Sequence, residues 1–277
     1  MALNRDLVGK TSDPLTFEYT WKDVVLYALG VGAKVDELDY LYEGRGPKVL
    51  PTFATVPCFT SLMDVLIRVD APLHKVLHGE QRIVMHRPIP PQGKLESRST
   101  IRGIYDKGKG ALIAVDCATV DEKGTPVFDN SFSIFVRGEG GFGGDRGPEQ
   151  EKLEVPTSPP SFEQTETVPA EQALLYRLSG DLNPLHADPA FAKMAGFERP
   201  ILHGLCTYGY AGRAVVRGAC DGDAAKLRSY GARFSGAVVP GDTITTRGWK
   251  LPDGRYLVNV VNQTNQPVLS HGIVEVG

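Results

Sequence analysis

Tyr176-Arg177-Leu178-Ser179-Gly180-Asp181-Leu182-Asn183-Pro184-Leu185-His186 gathers a carboxylate, an amide and an imidazole within six positions. The apolar residues leading into it, Ala173, Leu174, Leu175 and Leu178, have helical period. Ser179-Gly180 and Asn183-Pro184 then break the helix. Asp181 and His186 are therefore predicted to share one short, stiff turn. A carboxylate and an imidazole held together can work on one water, one taking a proton while the other delivers one. That equipment suits the addition of water to a double bond, or its removal.

The stretch continues as Ala187-Asp188-Pro189-Ala190-Phe191-Ala192, and Pro200-Ile201-Leu202-His203-Gly204-Leu205-Cys206-Thr207 follows soon after. Together these segments resemble the signature of the R-specific enoyl-CoA hydratases, the hydratase 2 enzymes of the MaoC-like dehydratase family. The likeness runs through the whole chain. It implies an α+β chain with a double hot-dog fold, in which two repeats each wrap an antiparallel sheet around a central helix. It also implies a lyase of fatty acid metabolism (β-oxidation) that reversibly hydrates trans-2-enoyl-CoA to (3R)-3-hydroxyacyl-CoA. Coenzyme A then belongs to the substrate, no cofactor or metal is implied, and a homodimer is expected.

The residues themselves speak for a repeat. Leu26-Tyr27-Ala28-Leu29-Gly30 echoes Leu175-Tyr176-Arg177-Leu178-Ser179, and Pro51-Thr52-Phe53 echoes Pro200-Ile201-Leu202 at the same interval. Gly93 matches Gly241 to within one residue of that interval. Landmarks at constant separation argue for duplication. The predicted organisation is an N-terminal repeat over 1–139, a linker over 140–160 and a C-terminal repeat over 161–277. Lys94–Tyr105, Ala111–Asp121 and Val127–Val136 read as strands of the first repeat. Ala224–Phe234, Asp242–Leu251, Tyr256–Asn262 and Val268–Val276 read as strands of the second, with Leu205–Val216 as its central helix. Gly204, Gly209 and Gly212 would then let a sheet approach that helix closely. The interval also places Gly32 opposite Asp181, Glu37 opposite His186 and Thr55 opposite Gly204. Only the C-terminal repeat is thus expected to be catalytic, leaving the other free to accommodate the acyl chain. The run from Gly138 to Gly144 contains a formal G-x-G-x-x-G, but no helix follows, so it reads as flexible linker and not as a dinucleotide site.

A net charge of −3 gives no electrostatic reason to expect nucleic acid or a membrane surface. No apolar run approaches the ~20 residues of a membrane span, and the N-terminus lacks an apolar signal core. Cys58, Cys117, Cys206 and Cys220 form no C-x-x-C pair and read as free thiols, which suits a cytoplasmic setting.

Hydration needs an activated water, a proton source and a donor for the thioester oxygen. By resemblance Asp181 and His186 supply the first two, with Asn183 positioned to orient the water or the thioester. Gly204 opens a predicted helix, where a free N–H carries the positive end of the helix dipole and no side chain obstructs it. His203 reads as its structural neighbour. Resemblance further points to His78, Gly79, Lys107 and Phe234, and to Leu182, Pro184 and Leu185 within the catalytic turn, as contacts of the thioester. His74 and His78 have a spacing that would suit a metal on a helix, but a third ligand is missing. The same pair would serve a (3R)-hydroxyacyl-CoA or acyl-carrier-protein dehydratase in reverse. A hot-dog acyl-CoA thioesterase usually draws its carboxylate from the central helix, and here the carboxylate sits in the turn.

Overall fold

The structure, a computed structural model, describes residues 3–149 and 153–277. Ten strands form one continuous antiparallel sheet in the order β1-β3-β4-β5-β2-β7-β10-β9-β8-β6. The first five are β1 (Leu15–Tyr19), β2 (Val76–Met85), β3 (Gly93–Asp106), β4 (Gly110–Asp121) and β5 (Pro126–Arg137). The second five are β6 (Phe162–Thr167), β7 (Leu227–Phe234), β8 (Thr243–Lys250), β9 (Tyr256–Asn262) and β10 (Pro267–Val276). The order reads the same from both edges once each strand is matched to its repeat, so two half-sheets meet at a β2–β7 seam. At the middle of that ladder Arg82 lies opposite Gly231. These two are separated by the sequence interval of the repeat, so the pseudo-twofold axis passes between them.

The helices are α1 (Trp21–Gly30), α2 (Leu38–Leu41), α3 (Thr55–Arg68), α4 (Gln172–Tyr176), α5 (Pro189–Met194) and α6 (Gly204–Ala219). α3 and α6 are the two central helices, again related by the repeat interval. The strands alternate buried and exposed positions, as in β3 from Leu95 to Arg102, because successive side chains point to opposite faces and only one face meets the helices. Thr20 and Asp23 form a capping box that starts α1, and the Asp188 carboxylate accepts the N–H groups of Ala190 and Phe191 to start α5, with Pro189 at its first position.

The double hot dog is the observed fold, and the predicted strands differ from the observed ones mainly at their ends. Residues 224–226 form a 3-10 turn before β7 rather than its first residues. Two expectations are corrected. Of the three glycines expected to admit the sheet, Gly204 does face a strand residue, Phe234, but Gly209 and Gly212 do not: a Cβ at Gly209 would lie 2.3 Å from Val31 and one at Gly212 would lie 2.5 Å from Thr52, both in the other repeat. These two admit the N-terminal half against the helix. The glycine run after β5 is also not free. The Asp106 carboxylate accepts the N–H groups of Gly108, Gly141 and Gly143, and these bonds hold it well below the usual carboxylate range, at about 2. The rest of the predicted linker leads to β6, with 150–152 outside the described residues.

Candidate active site

The turn after α4 is built as a chain of short-range hydrogen bonds. A 3-10 turn over Arg177–Ser179 ends at Gly180, whose φ of 124° lies where a side chain would be strained. The Asp181 carboxylate then accepts the Asn183 N–H at 3.2 Å, and the Asn183 side-chain oxygen accepts the Leu185 N–H at 3.0 Å. Asn183 thereby caps a second 3-10 turn, Pro184–His186. Its oxygen serves that cap, and its exposed NH₂ remains to meet a group outside the turn.

His186 is 8% exposed and its Nδ1 lies 2.9 Å from the Ile201 carbonyl. A carbonyl only accepts, so Nδ1 carries the hydrogen and Nε2 keeps its lone pair. His203, 1% exposed, places Nε2 3.1 Å from the Asp181 carbonyl and so donates to it. Its ring stacks on His186, with centroids 3.7 Å apart and planes at 28°, and Tyr176 flanks it at 4.9 Å. His203 is thus the brace between the Asp181–His186 turn and the start of α6. One nitrogen or oxygen from each of Asp181, His186 and His203 lies within 4.8 Å of the other two.

Burial sets the electrostatics. It raises the Asp181 pKa above the ordinary carboxylate value, partly opposed by His186. It lowers that of His186, partly opposed by the bond to Ile201 and by Asp181. His203 is pushed down to about 3, first by burial and then by His186, which fixes it as a neutral donor.

Gly204 opens α6 and is exposed; its N–H makes no hydrogen bond among the described residues. A Cβ there would stand 3.0 Å from the Phe234 ring, so the glycine also makes room for that ring. Phe234 at the end of β7 packs on His78 near the start of β2, with centroids 4.6 Å apart. The His78 Nε2–H donates to the Glu80 carbonyl 3.1 Å away, and burial lowers the ring's pKa to about 4. Gly79 sits where the β2–β5 register slips, and a Cβ would come 3.0 Å from the Ser133 carbonyl.

The structure therefore brings Asp181, His186, Gly204, His78 and Phe234 into one neighbourhood through His203. Lys107 is not among these contacts. It lies in the β3–β4 turn at the same end of the sheet, where its Nζ donates to the Arg146 carbonyl. Leu182, Asn183 and Pro184 are exposed and Leu185 is half-buried. His74 lies in a 3-10 turn and His78 on a strand, so the helical spacing considered for a metal is not realised. Sequence reasoning assigned His203 only a neighbour's role and did not single out Tyr176's contact with it; the aromatic-plus-histidine pattern carries no periodic signal.

In the first repeat the equivalent place is closed. Gly32 has φ 81° and a Cβ there would lie 2.4 Å from the Tyr210 ring. Glu37 is paired with Arg213 of α6, which is itself 1% exposed and also bonds Glu166 at 3.1 Å.

Residues 17–138 match the family described as the MFE-2 hydratase 2 N-terminal domain, and residues 151–268 match the MaoC like domain. A Dictyostelium discoideum protein named probable enoyl-CoA hydratase 2 is 41% identical over 97% of this chain and 95% of its own. The crystal structure of a MaoC-like dehydratase from Phytophthora capsici superposes with a TM-score of 0.88 at 31% identity, covering 99% of this chain and 98% of that one. A Mycobacterium tuberculosis protein described as a double hotdog fold superposes at 0.57 with 14% identity over 96% of each chain, a likeness of fold alone.

Proposed function

The chain belongs to the MaoC-like hydratase 2 family, and from that premise we propose that it reversibly hydrates a trans-2-enoyl-CoA to a (3R)-3-hydroxyacyl-CoA. The observation that carries the reading is the pairing of half-buried Asp181 with buried His186 on one turn, braced by His203 next to the unpaired N–H of Gly204. The pair takes one proton from a water as its oxygen bonds to C3, and returns one proton to C2. The electron density that moves onto the thioester oxygen meets the Gly204 N–H at the positive end of α6. His186 offers the Nε2 lone pair as acceptor because Nδ1 is spent on Ile201. No resident cofactor is needed for these steps.

In this reading 161–277 is the catalytic repeat and 1–139 gives space to the acyl chain. What supports it is an asymmetry between the central helices. Thr60 and Ile67 of α3 are exposed, the latter at 62%, whereas Gly209 and Val216, at the same places in α6, are buried. Leu178, Leu182 and Met194 also leave apolar surface open on the catalytic segment. Lys107 is read as a phosphate contact, and Asn183, Leu182, Pro184 and Leu185 as the rim around the thioester. A cytoplasmic homodimer completes the proposal; four buried free cysteines accord with a reducing setting. No helix among the described residues is long and apolar enough to cross a membrane.

The test is loss of enoyl-thioester absorbance with crotonyl-CoA and a long-chain enoyl-CoA, followed by chiral analysis of the product. An R product is expected. Release of free CoA without hydration would turn the reading to a thioesterase, and an S product would overturn it.

A further inference from the structure

The pseudo-twofold axis leaves a second mouth at the far end of the seam. β7 runs from Leu227 to Phe234, so its two ends are about 23 Å apart at ~3.3 Å per residue. The candidate active site uses the end with Phe234 and His78. At the other end lies a cavity of ≈ 280 Å³ lined by Met85, Leu227 and Pro51, among others. Each of these three is the repeat partner of an active-site landmark: Met85 of Phe234, Leu227 of His78 and Pro51 of Pro200. The cavity is therefore the duplicated counterpart of the substrate mouth. It has stayed open although Tyr210, Arg213 and Glu37 fill the place where the acid/base pair would stand.

Its charge has diverged. Lys48, Arg87 and Arg228 line it, where the substrate mouth has their repeat partners Phe197, Gly236 and Gly79. Lys48 pairs with Asp39 at 3.0 Å and Arg87 pairs with Asp121. Arg228 is exposed and makes no ion pair among the described residues. The Asp223 carboxylate, the acid on the lining, is turned to the Ala225 N–H. An apolar cavity near the lower size of small-molecule sites (roughly 300 Å³) with a cationic rim suits a narrow apolar arm ending in phosphate.

We infer that this cavity is a second, non-catalytic site for a CoA thioester, with the pantetheine arm inside and its phosphates on Arg228 and Lys48. The inference rests on the hydratase reading for its ligand class. Titration calorimetry with octanoyl-CoA, which has no double bond to hydrate, is the probe. Two molecules per chain are expected. Met85→Trp, which fills the cavity, should leave one, and Arg228→Glu should weaken the second at least tenfold. Arg228 is exposed, so that variant keeps the fold, and both variants should retain wild-type turnover of enoyl-CoA. One molecule per chain in the wild type overturns the inference, as does a second site indifferent to both variants. Octanoate alone competing at the second site as well as octanoyl-CoA would overturn its assignment to the phosphates. Absence of enoyl-CoA turnover in the wild type would instead strike the hydratase reading, so the two failures are separable.

Discussion

Gly204→Ala isolates the contribution of one backbone amide. The added Cβ would stand 3.0 and 3.1 Å from two carbons of the Phe234 ring and 3.7 Å from a third. The ring must give by a few tenths of an ångström, and His78 behind it, at 4.6 Å between centroids, limits the shift. Overpacking of this kind costs about 1–3 kcal/mol. Alanine regains up to ~1 kcal/mol over glycine in a helix, and less at its first residue. The net loss is about 0–3 kcal/mol, which for a chain of this size lowers Tm by roughly 2–4 °C per kcal/mol. The rate should suffer far more. A methyl at the mouth of the N–H keeps the thioester oxygen away, and loss of one such donor costs about 10²–10³ in kcat. Steady-state hydration of crotonyl-CoA together with thermal unfolding measures both. Adding Phe234→Leu relieves the crowding with a smaller loss of packing and should recover part of the Tm without restoring kcat. A Gly204→Ala enzyme with near-normal kcat would refute the role given to this amide. Full recovery of kcat in the double variant would show instead that the ring's displacement did the damage.

Two further outcomes follow from the same geometry. Because burial lowers the His186 pKa below its usual 6.5, the imidazole stays neutral at pH 7, and its share of kcat/KM should decline only as pH falls below 6.5; an acid limb centred above that value in a pH–rate profile would contradict the assignment. Glu37→Ala strands the buried Arg213 charge with Glu166 alone, which should cost about 3–5 kcal/mol in denaturant unfolding while hydration per folded molecule persists, whereas a catalytic role for the first repeat would make the rate collapse as well.

Much of the fold was legible because duplication writes the same intervals twice. Strands with β-branched, alternating residues were placed nearly to their ends, since packing against one helix imposes a period of two. β2 was not singled out as a strand, although it is the seam. Its first residues, Leu77-His78-Gly79-Glu80, include a bulge and polar groups that face the other repeat, so their pattern fits neither period. The turn around Asp181 was legible as a turn because Gly180 and Asn183-Pro184 constrain the backbone locally. That His203 would brace it was not, because the contact joins two loops through a ring stack and a single carbonyl. The glycine run after β5 misled for a related reason. Composition reports conformational freedom, yet two of the run's own N–H groups, those of Gly141 and Gly143, are gathered by the Asp106 carboxylate along with that of Gly108.

The two repeats have the same frame and opposite fates, and a few side chains on the central helices account for this. Position by position, α6 presents Tyr210 and Arg213 where α3 presents Ser61 and Asp64. Tyr210 occupies the space a carboxylate at position 32 would need, and Arg213 takes up Glu37 where a histidine would have to sit. Around Asp181 the matching residues are small or half-exposed: Ser61 is turned to the Ser99 hydroxyl at 2.7 Å, and a Cβ at Gly180 would meet nothing within 4 Å. The large pair on α6 thus packs one half shut and provides a buried ionic tie between the repeats, while the smaller pair on α3 leaves the place around Asp181 less filled. Reversing the first repeat's loss would accordingly require more than the acid and base themselves. Gly32→Asp with Glu37→His would place a side chain into the Tyr210 ring at a positive φ and unpair Arg213, so on an Asp181→Ala background that variant should show no hydration of crotonyl-CoA; detectable turnover there would refute the view that α6 closes the site.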